Sequence, residues 1–113
     1  MIDVAPPADD VFARLSATLA MRRNADPKSS YTAKLYAKGP DAILKKIGEE
    51  VAELIMASKD GQPNSIAREA ADVVFHIMVL LAFHGLSIGD VRRELARREG
   101  ISGIEEKRAR WPG

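Results

Sequence analysis

Carboxylates at helical spacing are the residues of this chain whose types and positions could do chemistry. Glu50 and Glu53 lie three residues apart, as do Glu69 and Asp72. At about 100° per residue, each pair falls about 60° apart on one face of an α-helix. Glu49 flanks the first pair, about 40° from Glu53 on the other side. Like charges at this spacing destabilise a helix slightly. Here Ala rather than Lys stands between them, and Asp72 abuts the apolar run that begins at Val73. A carboxylate at the edge of a core is unfavourable unless something offsets its desolvation. Two such pairs face to face would gather about four negative charges, and a hard, oxygen-seeking cation such as Mg²⁺ is the natural partner. A di-iron bundle would want Glu-x-x-His motifs, and zinc would want more His or Cys. Two solvated helix faces are the plainer alternative for any one of these acids. The whole set, on two helices joined by a short turn, favours the metal.

Other polar residues near the acids leave two readings open. His76, one turn past Asp72, is either a histidine satisfied within the core or a phosphate or base contact from a cleft wall. Lys45 and Lys46, one turn before Glu49 and Glu50, are either i,i+4 partners of those acids or point charges for substrate phosphates.

These residues need helices to position them, and the whole chain reads as all-α. No run alternates apolar and polar residues as a half-buried strand would. A first helix starts near Asp9 or Asp10, carries Val11, Phe12, Leu15 and Leu19, and stops around Arg23-Asn24. Ser30 caps a short second helix through Tyr31, Leu35 and Tyr36. Gly39-Pro40 opens a third, expected over Asp41–Lys59. A break at Gly61-Gln62-Pro63-Asn64 leads to a fourth, expected over Ser65–His84 and closed by Gly85. Ser87 caps a fifth over Ile88–Arg98, and the charged tail from Ser102 to Arg110 adds one or two turns. The expectation is a bundle of about four to five helices. The short link between the third and fourth makes them antiparallel neighbours, which brings the two acid pairs together. The fourth helix is apolar on every side from Val73 to Phe83 apart from His76. Such a helix must be enclosed all round, so a homodimer is expected to complete the bundle.

Composition narrows the class. At 113 residues the chain holds one domain, residues 1–113, with residues 1–10 expected to be loosely ordered. A net charge of +1 gives no general field for nucleic acid. The absence of cysteine excludes thiolate metal sites and disulfides. No basic segment followed by an apolar one opens the chain, and the Val73–Phe83 run falls short of the roughly 20 residues of a membrane helix. A cytoplasmic helical domain, off the membrane, is expected.

Several segments go further. Ser30-Tyr31-Thr32-Ala33-Lys34-Leu35, Lys46-Ile47-Gly48-Glu49-Glu50-Val51-Ala52-Glu53, Glu69-Ala70-Ala71-Asp72-Val73-Val74-Phe75-His76 and Gly100-Ile101-Ser102-Gly103-Ile104-Glu105-Glu106-Lys107 together resemble the phosphoribosyl-ATP pyrophosphatase family. That family is a branch of the MazG-like all-α nucleoside triphosphate pyrophosphohydrolases. The acid motif is shared across the superfamily, and the Ser-Tyr-Thr and Gly-Ile-Ser-Gly segments narrow it to this branch. The resemblance covers about Leu15 to Arg110, with Phe75 standing where the family often has Tyr. It implies hydrolysis of phosphoribosyl-ATP to phosphoribosyl-AMP and pyrophosphate, in histidine biosynthesis, by a homodimer. It implies Mg²⁺ on Glu50, Glu53, Glu69 and Asp72, and Glu49 positioning water or a second ion. Lys34, Lys46 and His76 are the candidate substrate-binding residues. A housecleaning nucleotide pyrophosphohydrolase and a catalytically silent helical dimer remain the alternatives.

Overall fold

The computed structural model describes residues 10–111 as six α-helices, with no strand among the described residues. They are α1 (Val11–Arg22), α2 (Tyr31–Lys38), α3 (Pro40–Asp60), α4 (Pro63–Phe83), α5 (Ile88–Arg97) and α6 (Gly103–Arg110). The all-α expectation holds. The expectation of a loosely ordered start falls, for residues 1–9, outside the described residues.

Local chemistry sets the boundaries. The Asp10 side chain accepts from the Phe12 N–H, and the Ser30 hydroxyl accepts from the Ala33 N–H at 3.2 Å. Ser87 and Asp90 form a reciprocal capping box at the start of α5. Ser102 caps α6, so the charged tail folds as a helix of its own rather than as a ragged extension. α3 and α4 both begin earlier than periodicity indicates, at Pro40 and Pro63. Proline suits a first turn because its missing N–H has no partner to lose there. Only Gly61 and Gln62 therefore separate the two 21-residue helices. Gly61 makes this reversal with a left-handed backbone, φ 70°, that a side chain would strain.

The core sits where α1, α2, α3 and α4 meet. Leu19, Leu35, Ile43, Met78 and Val79 are buried there, with Leu15, Tyr36, Ile47, Val74 and Phe75 packed around them. Ile43 and Val79 are 0% exposed, and full burial of such a side chain stabilises by about 1.5–3 kcal/mol. Tyr36 donates its hydroxyl to the Leu19 carbonyl at 3.3 Å, joining α2 to α1. Arg92 of α5 pairs with Asp10, and Arg97 reaches the buried Glu106 of α6 at 2.7 Å.

The chain covers α4 in part: Met78 and Val79 are buried, and Val74, Phe75 and Leu80 are partly covered. Its exposed large apolar residue is Ile77. The more exposed apolar stripe is on α3, where Leu44, Val51 and Ile55 face solvent. No single helix among the described residues is long and apolar enough to cross a membrane.

Candidate active site

The tight α3–α4 reversal brings Glu50 of the first acid pair to both acids of the second. Glu50 of α3 and Glu69 and Asp72 of α4 each offer a carboxylate oxygen, and these oxygens lie within 4.8 Å of one another. Glu50 is only 7% exposed, while Glu69 and Asp72 are half-buried. Glu53 is exposed one turn beyond Glu50 and falls outside this group of three. Glu49 is exposed on the neighbouring strip of α3.

The donor set fits a hard cation. Oε2 of Glu50 and Oε2 of Glu69 are buried and have no hydrogen-bond partner. A buried acceptor left unpaired costs about 1–3 kcal/mol, and more when charged. Negative groups this close also repel. A divalent ion among the three carboxylates would answer both costs with the oxygen ligands it prefers.

A basic cleft adjoins the acids. A cavity of about 310 Å³ is lined by Tyr31, Leu35 and Lys38 of α2 and by Ala42, Lys45, Lys46 and Glu49 of α3. The spacing explains the lining: Tyr31, Leu35 and Lys38 stand at i, i+4 and i+7, as do Ala42, Lys46 and Glu49 at i, i+4 and i+7. Lys46 stands between acids and cleft. Its Nζ lies 3.3 Å from Oε1 of Glu50 and 3.9 Å from Oε1 of Glu49. The hydrogen bond to Glu50 is the main reason its ammonium titrates above the usual lysine range.

His76 is 6% exposed, and both its ring nitrogens are used within the chain. Nδ1 lies 2.8 Å from the Asp72 carbonyl, which can only accept, so Nδ1 carries the proton. In the neutral ring Nε2 then accepts from the Tyr31 hydroxyl, also at 2.8 Å. Burial raises the Tyr31 pKa, and the charges of Glu50, Glu49 and Asp72 add to it against the opposing Lys46, so the phenol stays a donor. Both contacts of His76 are therefore internal to the chain. Its link to the site runs through Tyr31 and the backbone of Asp72.

The remaining candidates divide. Lys46 lines the cleft. Lys34 is exposed and does not line it; Lys38, one turn on, does. Tyr31 and Lys38 are residues that sequence reasoning missed. Their signal was the seven-residue spacing on α2, which puts both on the face that meets α3.

Fold and site together define an all-α protein that sets an acidic cluster beside a lysine-lined cleft. The family model described as phosphoribosyl-ATP pyrophosphohydrolase matches residues 12–99. A phosphoribosyl-ATP pyrophosphatase of Dechloromonas aromatica (strain RCB) is 65% identical over 101 residues, covering 89% of this chain and 94% of its own. One of Azoarcus sp. (strain BH72) is 54% identical over 110 residues, covering 97% and 98%. One of Nitrosospira multiformis (strain ATCC 25196 / NCIMB 11849 / C 71) is 55% identical over 104 residues, covering 92% and 86%. The chain belongs to the phosphoribosyl-ATP pyrophosphohydrolase family.

Proposed function

We propose that this chain hydrolyses phosphoribosyl-ATP to phosphoribosyl-AMP and pyrophosphate, in the cytoplasm, as a step of histidine biosynthesis. The substrate reading rests on the family. The observation that carries the chemistry is the buried, unpartnered Glu50 oxygen within a three-carboxylate cluster beside three lysines.

Glu50, Glu69 and Asp72 are the proposed inner holders of Mg²⁺, with the exposed Glu53 as the fourth carboxylate. Bound there, the ion would neutralise charge on phosphate oxygens and lower the pKa of a coordinated water. Lys38, Lys45 and Lys46 supply the positive charge that draws a triphosphate into a cleft beside so many acids. Glu49 lines the same cleft, and its carboxylate would accept a proton from the attacking water. Water adds at phosphorus of the α–β linkage, the anhydride bond breaks, and pyrophosphate leaves. Tyr31 covers one side of the cleft, held by His76.

We also propose that two copies pair through the apolar stripe of α3. Support comes from the exposure of Leu44, Val51 and Ile55, and of Ile77 on α4, beside a core of only six buried hydrophobic residues among those described.

The direct experiment is a coupled pyrophosphate-release assay with phosphoribosyl-ATP, dUTP and dCTP, each with and without Mg²⁺. The reading expects Mg²⁺-dependent pyrophosphate from phosphoribosyl-ATP far above the other two. Stoichiometric orthophosphate, or equal turnover of dUTP, would overturn it.

A further inference from the structure

We propose that Lys46 is a shared cation, holding Glu50 while the acid cluster has no metal ion and serving phosphate in the adjoining cleft once it has one. This rests on the metal site proposed above. Among the described residues, Lys46 is the one that both pairs with a carboxylate of the cluster and lines the cleft. Its Nζ neutralises Oε1 of Glu50, whereas Oε2 of the same side chain is buried and without a partner. Glu50 is thus half satisfied: a cation of the chain holds one oxygen and no group among the described residues holds the other.

Lys46 is also free to move. Its side chain is 35% exposed, and an ammonium on a four-carbon stem can exchange partners without moving the backbone. The charges then dictate the order of events. A positive charge 3.3 Å from a metal-binding carboxylate repels an arriving divalent ion, so Lys46 weakens metal binding in the absence of phosphate. A polyphosphate in the cleft gives Lys46 a second anionic partner beside Lys38 and Lys45. Drawn there, it relieves the repulsion at Glu50. Metal and phosphate therefore favour each other's binding, and by linkage the effect is reciprocal.

The test measures Mn²⁺ binding by the electron paramagnetic resonance of free Mn²⁺, in the wild type, Lys46→Gln and Lys45→Gln. Pyrophosphate affinity is then measured calorimetrically at saturating Mn²⁺. Lys46→Gln should bind Mn²⁺ roughly five- to tenfold tighter, the scale of one partly screened charge repulsion. It should bind pyrophosphate roughly fivefold more weakly. Lys45 lines the same cleft but pairs with no carboxylate of the cluster, so Lys45→Gln should leave the Mn²⁺ affinity within about twofold. Were Lys46 only a helix-surface partner of Glu50, Lys46→Gln would melt earlier with both affinities unchanged, and the proposal would fall. Weaker Mn²⁺ binding by Lys46→Gln would overturn it as well. A wild type that binds no Mn²⁺ would instead overturn the metal site itself.

Discussion

The Tyr31 hydroxyl and Nε2 of His76 meet at 2.8 Å, with the two rings edge to face at 90°. This contact ties the first residue of α2 to the middle of α4, across 45 positions of sequence. Through Nδ1, the same imidazole is bonded to the backbone of Asp72, a carboxylate of the acid cluster. One ring therefore holds both a wall of the cleft and the turn of helix that presents an acid.

Tyr31→Phe removes the hydroxyl and leaves Nε2 of a buried histidine without its partner. An unsatisfied buried group costs about 1–3 kcal/mol, so the urea midpoint should fall with an unchanged slope. A midpoint equal to wild type would show that this contact does not hold α2 in place.

Glu50→Gln and Asp72→Asn each remove one charge at nearly constant shape. Turnover should fall on the order of a hundredfold or more, the usual scale for losing one group that stabilises developing charge. Stability in chelator should be unchanged or higher, because a repelling charge has gone. Near-normal turnover at saturating Mg²⁺ in either variant would sink the ligand assignment. Glu53→Gln, on the exposed carboxylate outside the group of three, should lose roughly tenfold or less.

A third expectation concerns acid. Hydrogen bonds from Arg97, and then from Arg98, pull the Glu94 carboxyl down to about 2, against an ordinary 4.5. Its folded-state pKa is depressed, so its contribution to stability is complete above pH 4.5 and is lost as pH falls through about 2. Glu94→Gln should flatten the thermal midpoint against pH within that window and leave the shape above it unchanged. Since the pair is open to solvent, added salt should shrink the difference. An acid limb identical in both proteins would refute the assignment.

How much of this was legible in the sequence depends on which force set each feature. The helices and most caps were, because hydroxyl caps, prolines and glycines act locally: Ser30, Ser87 and Gly61 stand where expected. The meeting of Glu50 with Glu69 and Asp72 was also legible, since a short link forces antiparallel neighbours. The partner of His76 was not, because Tyr31 lies on another helix and no spacing rule connects them. Lys34 and Lys38 differ by one turn, and only the docking angle of α2 on α3 decides which of them reaches the cleft. Which residues of α4 the chain covers was not legible for a similar reason. Pattern shows that a helix is apolar all round, and packing alone shows which residues the rest of the chain covers.

That distinction decides where to test assembly. Val79 is 0% exposed, so Val79→Glu would place a charge in the core and report on folding rather than on association. The surface to probe is on α3, where Leu44, Val51 and Ile55 follow at i, i+7 and i+11 and lie within about 40° of one another. Leu44 and Ile55 are 50% and 57% exposed, and Ile77 of α4 is exposed too. A lone apolar residue in water is ordinary, but a stripe along a 21-residue helix is what a partner helix covers. A two-fold axis is the commonest way for such a stripe to cover itself. Light scattering at low micromolar concentration should give a dimer mass for the wild type. Leu44→Glu and Ile55→Glu should each give a monomer or insoluble protein with little change in helix content, because neither side chain supports the core. A wild type of monomer mass with full activity would overturn the dimer, and two stable, dimeric variants would remove α3 as its seam.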